Sequence, residues 1–531
     1  MSSAVIDIRW FWVAPELVLT FAGLAGLLAA AMRTPWARHP FARPAVPPED
    51  AEGTVLRAAE WICIVGVAVA GLLAAAVGWS TRALHPGVMV HFWGGMMHDP
   101  FSAFFKVAVA VATLLVMAMT AAYRRSFPNR PEMYALLTLA TLAIFFMASA
   151  SELVVLFLAV EFLSIVSYVL VGYLKNEPRS AEAGIKYFLF GTVCSAVMLY
   201  GMSLLYGLTG STLLQGIAGV LAGETDVARR MVVLAAAFFV LAGLGFKVSM
   251  APFHQWVPDA YEGAPTPITA YLSVASKAAG FAVTVRFLGV ALALPQIAPH
   301  WAALIAILAM ITMTWGNTAA IWQTNIKRML AYSSIAQAGY ILTGLAAAGV
   351  AGEGVREFAI PGILLYVLAY LFMNLGAFAV VIAVANQDGV EEIPGYAGLA
   401  RRAPWLAAAM TIFLLSLIGI PPTAGFIAKL YLFLAAIKAS TPLMTTLAVV
   451  MFVNSVISAY YYLNVVRQMY LGEPVAEKRI SAHLGLKLTV GVCAVATIAI
   501  LIAAEPFLAL SQDAVYTSTP LFSILIGRFT W

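Results

Sequence analysis

Four ionisable side chains lie deep within apolar stretches of this sequence, where a membrane-spanning helix would place them in hydrocarbon. They are Glu161, Lys247, Lys277 and Lys429. A charged side chain at the bilayer centre costs roughly 2.5–3.5 kcal/mol on insertion scales, so such residues usually mark an ion or proton pathway. A lysine removed from water loses its proton more readily, whereas a nearby carboxylate favours the charged form. Moving a carboxylate and a lysine apart would therefore release a proton, and these residues predict proton transfer.

Prolines interrupt the apolar pattern between two of these lysines. Residues 243–277 read GLGFKVSMAPFHQWVPDAYEGAPTPITAYLSVASK, which carries Lys247, Lys277 and the four prolines Pro252, Pro258, Pro265 and Pro267. A broken helix at membrane depth is tolerated only where protein or water satisfies the freed backbone groups. Ionisable residues and helix breaks within one short stretch predict that residues 243–277 are the centre of the functional site.

Other polar residues leave two interpretations open. His254 is either a proton relay or a buried core histidine, and Asp259 and Glu262 either cap a helix in a tight cytoplasmic loop or take up protons. On the predicted helix 331–350, Gln337 and Tyr340 share one face at helical spacing. This face is either part of a relay or a packing surface, because small and hydroxyl residues also join helices in membranes. Glu161 and Lys247 could likewise form a purely structural ion pair.

Composition identifies a polytopic helical membrane protein. Of 531 residues, 62% are hydrophobic and only 10% are charged, whereas a soluble domain carries about 25% charged residues. The net charge of +5 does not indicate nucleic-acid binding, because the basic residues lie in short loops between apolar runs.

No motif for a cofactor or a metal is present in the sequence. It has neither G-x-G-x-x-G nor G-x-x-x-x-G-K-[ST], so nucleotide binding is unsupported. The three cysteines are isolated within apolar runs, and the spacing of His85, His91 and His98 fits no standard zinc pattern. We therefore expect this chain to bind neither cofactor nor metal.

Apolar runs of about 20 residues, enough to cross a bilayer, recur along the whole chain. They predict about 14 transmembrane helices, at 11–32, 58–79, 101–123, 133–150, 153–174, 187–209, 231–258, 267–290, 300–320, 331–350, 360–385, 405–437, 443–466 and 485–504. Most Lys and Arg residues lie in the loops that follow odd-numbered spans, which predicts that these loops face the cytoplasm and that both termini face outward. Lys106 and Arg286 lie near the ends of their spans, from which long side chains can reach the interface.

Two of the predicted spans are too long for one straight crossing, and both contain proline. They are 231–258, with Pro252, and 405–437, with Pro421 and Pro422. Interrupted segments in corresponding positions indicate inverted repeats around a site near the bilayer midplane. Because the two lie five spans apart, we predict repeats of opposite orientation. The predicted units are three helices with a Pro-rich cytoplasmic loop 33–57 (1–132), the first five-helix repeat (133–290), the inverted second repeat (300–470), and helix 14 with a C-terminal tail (471–531).

The same stretches carry a family resemblance. GFKVSMAPFHQWVPDAYEGAPTPITAYLSVASK, VEFLSIVSYVLVGY, NIKRMLAYSSIAQAGY and LSLIGIPPTAGFIAKLYLF resemble the antiporter-like membrane subunits of respiratory complex I, the NADH-quinone oxidoreductase. The form PFHQWVPDAYEGAPTP is most similar to the subunit N branch. The resemblance covers nearly the whole chain and implies an all-α fold with discontinuous helices 7 and 12.

The resemblance also implies roles for residues and partners. The helix-5 glutamate falls on Glu161, the helix-7 and helix-8 lysines on Lys247 and Lys277, and the ionisable residue of helix 12 on Lys429. Many family members have histidine where this chain has Gln337, which cannot titrate. The family implies a subunit of a bacterial inner-membrane complex, embedded in lipid among other membrane-arm and peripheral subunits. NADH, flavin, iron–sulfur clusters and quinone are expected in those other subunits, and nucleic acid is not a partner.

Two alternatives remain open. The homologous subunit of a multisubunit sodium/proton antiporter would share the motifs, although such subunits resemble other branches of the family more closely. A purely structural spacer in the membrane arm would make the buried lysines dispensable. The leading prediction is a proton-translocating subunit that is driven by quinone reduction elsewhere in the complex.

Overall fold

The computed structural model describes residues 10–31, 49–83, 89–91, 94–123, 130–224, 226–350, 355, 358–474, 478–502, 509 and 511–512. Most of the predicted Pro-rich loop lies outside these residues, and so does the end of the C-terminal tail. The last part of that predicted loop differs from expectation, because helix α2 already begins at Glu49.

The described part of the chain is almost entirely α-helical. Its helices, in chain order, are α1 Trp10–Ala31, α2 Glu49–Ala83, α3 Pro100–Ala122, α4 Arg130–Ser149, α5 Leu153–Val171, α6 Pro178–Thr209, α7 Leu214–Ala222, α8 Val227–Val248, α9 Val257–Gly263, α10 Thr266–Tyr271, α11 Lys277–Arg286, α12 Ala298–Ile321, α13 Ile326–Ala348, α14 Ala359–Asp388, α15 Leu399–Arg402, α16 Pro404–Ile418, α17 Ala424–Lys438, α18 Pro442–Leu471 and α19 Leu484–Ile502. A short antiparallel hairpin of β1 (Met89–His91) and β2 (Met96–His98) precedes α3.

These helices confirm the predicted membrane fold. Within the described residues, 12 helical segments are long and apolar enough to cross a membrane. Two further predicted crossings are α13, which has 23 residues but carries Lys327 and Arg328 in its first turn, and the pair α16–α17, which has 15 residues in each half. The segment 266–291 forms one crossing in which α11 lies between two π-helical turns, Leu272–Ser276 and Phe287–Ala291.

Both predicted helix breaks are present. Helix α8 ends at Val248, where Ser249 adopts a left-handed φ of 66°, and the chain resumes helical structure only at α9. Helix α16 ends at Ile418, where Gly419 has a φ of 88°, and α17 begins after the Pro421–Pro422 pair. Proline explains the positions of both interruptions, since it lacks the N–H that an uninterrupted helix needs.

Small residues allow the helices around the site to pack closely. A Cβ added at Gly316 of α12 would lie 2.6 Å from the backbone nitrogen of Ala336 on α13. In the same way, a Cβ at Gly339 would lie 2.7 Å from the backbone nitrogen of Met313. Backbones this close exclude any larger residue, which is typical of helix pairs in membranes. This contact holds the polar face of α13 in a fixed position.

Candidate functional site

Glu161 and Lys247 lie at the first helix break but do not form an ion pair. Glu161 is half-buried on α5 and accepts a hydrogen bond from Ser195 of α6. Lys247 lies in the last turn of α8, is 2% exposed, and its Nζ has no hydrogen-bonding partner among the described residues. The nearest interactions of Lys247 are with the Phe246 ring, 5.6 Å from Nζ to the centroid, and with the charge of Glu161 at longer range. Glu161 and Lys247 therefore do not form a fixed structural salt bridge.

Several buried hydroxyl groups lie near one another in the helices around this break. Ser167 and Ser276 lie beside the hydroxyl of Tyr187 on α6, and Ser334 of α13 lies beside the hydroxyl of Tyr261 on α9. In the described structure, hydrogen-bonding partners are lacking for the hydroxyls of Ser167, Tyr168, Tyr187, Tyr261 and Ser276. Buried polar groups in proteins are normally satisfied by protein or by water. These hydroxyls therefore mark a polar region that reaches from α5 to α13.

Lys277 joins the two halves of the molecule. It is 2% exposed at the start of α11, directly after a π-helical turn. Its Nζ donates to the backbone oxygen of Ser334 at 2.5 Å and to Ser334 Oγ at 2.6 Å. Tyr370 of α14 donates to the same Oγ at 2.8 Å. Thus a lysine of the first predicted repeat is bound by a residue of the second.

Gln337 connects several helices of the second half. Its Nε2 donates to Leu417 O of α16 at 3.1 Å and to the Tyr462 hydroxyl of α18 at 3.3 Å. Tyr366 of α14 donates to its Oε1, and Tyr462 also contacts Ser333, the residue before the partner of Lys277. The Gln337 amide therefore lies between the Lys277 region and the second helix break.

Lys429 is bound by carbonyl groups at that second break. It is 7% exposed, and its Nζ donates to Leu417 O at 3.0 Å, to Ile418 O at 2.8 Å and to Ser455 Oγ at 3.4 Å. The carbonyls belong to the C-terminal end of α16, which carries partial negative charge. Leu417 O accepts from both Lys429 and Gln337, so the Gln337 network and Lys429 share an acceptor.

Tyr340 presents its ring rather than its hydroxyl to Lys429. The ring centroid lies 4.2 Å from Lys429 Nζ, a distance typical of a cation–π contact. The hydroxyl accepts instead from Asn317 Nδ2 at 2.9 Å, and Asn317 in turn bonds Asn454 and Tyr461 of α18. Asn317 of α12 therefore connects Tyr340 on α13 with Asn454 and Tyr461 on α18.

His254 lies in the break between α8 and α9 and makes no hydrogen bond to the buried lysines. It is 7% exposed, its Nδ1 has no partner among the described residues, and its ring packs edge-on against Trp315 at 5.9 Å. Both of the sequence-based interpretations of His254 therefore remain.

Asp259 and Glu262 form ion pairs across the two halves. Arg328 of α13 contacts Asp259 Oδ1 at 2.7 Å and Glu262 Oε2 at 2.8 Å, and Lys186 contacts Asp259 Oδ2 at 2.9 Å. Although burial alone would raise the pKa of Asp259, hydrogen bonds from Lys186 and Arg328 lower it below the usual value.

Lys327, 2% exposed, donates to the backbone oxygens of Glu262 and Ala264. These contacts tie the α9–α10 turn to the start of α13.

The sequence prediction for Lys106 and Arg286 is wrong. Both are buried, at 2% and 1% exposure, instead of extending to the interface. Lys106 pairs with Glu16 at 2.5 Å, and Arg286 pairs with Asp99 at 3.0 Å. Their partners lie 90 and 187 residues away in the chain, so no local sequence signal could reveal them.

Within the described residues, no group of three His, Cys, Asp or Glu side chains could hold a metal ion. The side chains of His85 and His91 lie outside the described residues, and His98 contacts Lys106.

Comparisons with known proteins extend over most of the chain. A family model described as NADH:quinone oxidoreductase/Mrp antiporter, TM matches residues 150–458. The NADH-quinone oxidoreductase subunit N of Desulfitobacterium hafniense is 47% identical over 400 residues, which cover 73% of this chain and 79% of that protein. A chain of respiratory complex I from Thermus thermophilus with bound aureothin is similar with a TM-score of 0.72 and 27% identity, over 93% of this chain and 99% of that one. A chain of the Mrp complex from Dietzia sp. matches with a TM-score of 0.80 at 21% identity, over 96% and 99%, and this likeness concerns the fold alone.

Proposed function

This chain belongs to the NADH:quinone oxidoreductase/Mrp antiporter family, and we propose that protons cross it along Glu161, Lys247, Lys277 and Lys429. It is a proton-translocating membrane-arm subunit of an NADH-quinone oxidoreductase, as its relatives named subunit N support. Quinone is reduced elsewhere in that complex, and this subunit moves protons in response.

One observation carries the proposal: Lys277 is bound by Ser334, and the neighbouring Ser333 begins a chain of contacts that ends at Lys429. That chain runs through Tyr462, Gln337 and the shared acceptor Leu417 O. The amide of Gln337 has no titratable proton, so a proton crossing this point would move through hydroxyls or water beside it. The buried hydroxyls between Glu161 and Lys277 support a similar hydrated connection in the first half.

The proposed sequence of events begins with Glu161 and Lys247, which are not hydrogen-bonded to each other. Among the described residues Lys247 Nζ has no hydrogen-bonding partner, and the charge of Glu161 at longer range favours its protonated form. A movement that takes Glu161 further away would release that proton toward Lys277. From there it would pass to Lys429 and leave on the outer side near the Pro421–Pro422 break. His254 and Tyr340 would act as accessory groups, His254 at the first break and Tyr340 through its ring at Lys429.

The cellular setting follows from the same proposal. The chain is a multi-pass membrane protein, and we place it in the bacterial inner membrane with both termini on the outer side, as the distribution of Lys and Arg supports. Its partners are other membrane-arm and peripheral subunits of the complex. NADH, flavin, iron–sulfur clusters and quinone would be bound by those subunits and not by this chain. Residues 133–290 and 300–470 would form the two inverted repeats.

The sodium/proton antiporter alternative has weaker support. The chain of the Mrp complex shares the fold at 21% identity, whereas relatives named NADH-quinone oxidoreductase subunit N reach 47%. The test is to compare membranes with and without this chain. NADH-driven proton pumping should disappear with the chain and return when it is restored. A loss of sodium-driven proton exchange, with NADH-driven pumping intact, would favour the antiporter instead.

The purified chain alone should oxidise no NADH. It carries neither a nucleotide-binding motif nor a recognisable cofactor motif in its sequence, and hydride transfer from NADH needs an acceptor such as a flavin. The measurement is NADH absorbance with the detergent-solubilised chain and added quinone, with the intact complex as the positive control. Sustained oxidation by the chain alone would reveal a redox site that this account lacks.

A further inference from the structure

A second group of buried ionisable residues lies outside the line of Glu161 and the three lysines. Lys106 of α3 contacts Glu16 of α1 through Oε1 at 2.5 Å and His98 of β2 through Nδ1 at 3.3 Å. Glu16, His98 and Lys106 are exposed by 3%, 0% and 2%, respectively. Glu16 Oε2 is buried and has no partner among the described residues. We call Glu16, His98 and Lys106 the N-terminal centre.

The N-terminal centre is buried toward the end of the helices that lies opposite the Asp259–Arg328 ion pairs. Ser151, between α4 and α5, bonds Gly94 and Gly95 of the hairpin segment, so the start of α3, the end of α4 and the start of α5 share this surface. The α9–α10 turn lies at the other end of these helices. By the distribution of Lys and Arg, the hairpin surface is the outer one.

Stability alone does not account for the N-terminal centre. Replacing a buried ion pair by apolar residues of similar volume is often neutral or stabilising, and ionisable residues within a membrane protein usually mark a pathway. A carboxylate, an amine and an imidazole in direct contact can hold a proton in more than one arrangement with little movement of their atoms. This is the chemistry that a proton-exchange site requires.

The neighbouring pair of Asp99 and Arg286 is also buried, but it differs from the N-terminal centre in its chemistry. Arg286 donates to both oxygens of Asp99, at 3.1 and 3.0 Å, and to Ala148 O at 3.0 Å. Asp99 also caps α3 by accepting from Ser102 N at 2.7 Å. Guanidinium does not deprotonate in proteins, so this pair anchors α3 to the end of α11 and cannot exchange protons.

A line of hydroxyls connects α3 with the crossing that carries Lys277. Tyr271 OH lies 3.2 Å from Thr141 Oγ1 of α4, and Thr141 Oγ1 lies 2.8 Å from Thr113 Oγ1 of α3. Thr113 in turn donates to Val109 O at 2.8 Å. Thr141 Oγ1 also lies 2.8 Å from Leu137 O, so its single proton is donated either to that carbonyl or to Thr113. When Thr141 turns its proton toward Thr113, a proton that arrives at the Tyr271 oxygen can displace one proton at each hydroxyl. The proton displaced at Thr113 then has to leave Val109 O and pass to a water molecule on the path toward Lys106.

The line of hydroxyls points toward the N-terminal centre. Thr113 lies seven residues after Lys106 and so on the same face of α3. Phe145 lies one turn after Thr141 on α4, and its ring centroid is 5.8 Å from Lys106 Nζ. Among the described residues no hydrogen bond joins Thr113 to Lys106, so a passage between them requires water to enter beside the Phe145 ring.

We propose that the N-terminal centre is a proton-exchange site that releases protons to the hairpin surface, supplied from Tyr271 through Thr141 and Thr113. It would be a branch beside the route to Lys429, and it rests on the proposed function because its protons would come from the crossing that carries Lys277. The ligand is a proton, accepted by Lys106 or His98 and passed to water at the surface.

The test uses the intact complex in sealed inside-out vesicles, with protons translocated per NADH and the rate of quinone reduction as readouts. Thr141→Val breaks both hydroxyl contacts of the line, and Glu16→Gln with Lys106→Met removes the buried charges together. The matched control is Thr120→Val, because among the described residues the Thr120 hydroxyl bonds only Val116 O of its own helix. We expect Thr141→Val and the double variant to lose part of the protons translocated per NADH, and Thr120→Val to match the unchanged complex.

A structural control separates anchoring from proton exchange. Asp99→Asn should reduce the amount of assembled complex without changing the protons translocated per NADH by the complex that remains. If Thr141→Val behaves like Thr120→Val, the proposal is overturned even where the double variant fails to assemble. Lys247→Met, measured in the same vesicles, distinguishes a failure of this branch from a failure of the proposed function. Loss of pumping in Lys247→Met but not in Thr141→Val refutes only this branch, whereas unchanged pumping in Lys247→Met refutes the proposed function.

Discussion

Replacing Lys247 by alanine, or Glu161 by glutamine, should lower quinone reduction and proton pumping together. Lys247 is buried and its Nζ has no hydrogen-bonding partner in the part of the chain that the structure describes, and Glu161 is the carboxylate whose charge acts on it. Removing a positioned acid or base typically slows a proton-transfer step by about 10²–10⁴-fold. Because electron transfer is coupled to the pump, the slow step should limit both activities. The measurement is the NADH:quinone reductase rate and proton uptake in sealed vesicles.

Matched controls exclude a general effect of removing charge. Lys438, at the exposed end of α17, and Glu182, an exposed residue of α6, offer the same substitutions away from the buried line. Lys438→Ala and Glu182→Gln should retain both activities. Lys247→Met adds a variant that keeps most of the side-chain volume. Unchanged pumping rate and unchanged proton-to-electron ratio in Lys247→Ala and Glu161→Gln would contradict the assignment of this pair.

At Lys429, arginine should be a worse replacement than histidine. Lys429 Nζ is held by Leu417 O, Ile418 O and Ser455 Oγ, a set of acceptors that fits an ammonium, and the structure describes no carboxylate paired with it. If the residue receives a proton and passes it outward, it must also exist in a neutral form. Guanidinium cannot deprotonate in a protein, whereas imidazole titrates near neutral pH. Lys429→His should therefore retain part of the pumping, and Lys429→Arg should lose nearly all of it.

The two replacements separate proton release from simple electrostatics. A fixed positive charge at the end of α16 would stabilise the helix terminus whether it came from lysine or from arginine. Pumping by the Lys429→Arg complex at the unchanged rate would show that the residue serves only as a cation, and the proposed exit would be wrong. The amount of assembled complex, measured on the same membranes, shows whether either variant fails to fold.

The sequence predicts the crossings and both helix breaks because each has a local cause. Apolar runs of sufficient length define the crossings, and Pro252, Pro421 and Pro422 remove backbone donors within two of them. The π-helical turns around α11 and the short helix α7 are not predicted, because LSVAS and FLGVA contain no proline and α7 has only nine residues. The hairpin of β1 and β2 is not predicted either, because each strand has only three residues.

The buried lysines of the line could be found from the sequence, but their partners could not. A single lysine inside a long apolar run is conspicuous, whereas Lys429 and Gln337 share a backbone carbonyl, which has no sequence signature. Glu16 and Lys106 are both near the ends of their predicted spans, where a long side chain can reach water, and only the fold brings them together. By the predicted topology, the carboxylates nearest to Lys429 on its own side of the bilayer are Glu353 and Glu357, and both lie outside the described residues.

Lys277 offers the most direct test of the proposed route, because its contact with Ser334 joins the two halves of that route. The measurement is the number of protons translocated per NADH by the intact complex in sealed inside-out vesicles, with Lys277→Met compared with Lys438→Met. We predict that Lys277→Met lowers this number or stops coupled turnover while Lys438→Met changes neither. An unchanged number and an unchanged rate in Lys277→Met would contradict the proposal that protons cross this subunit along its buried lysines.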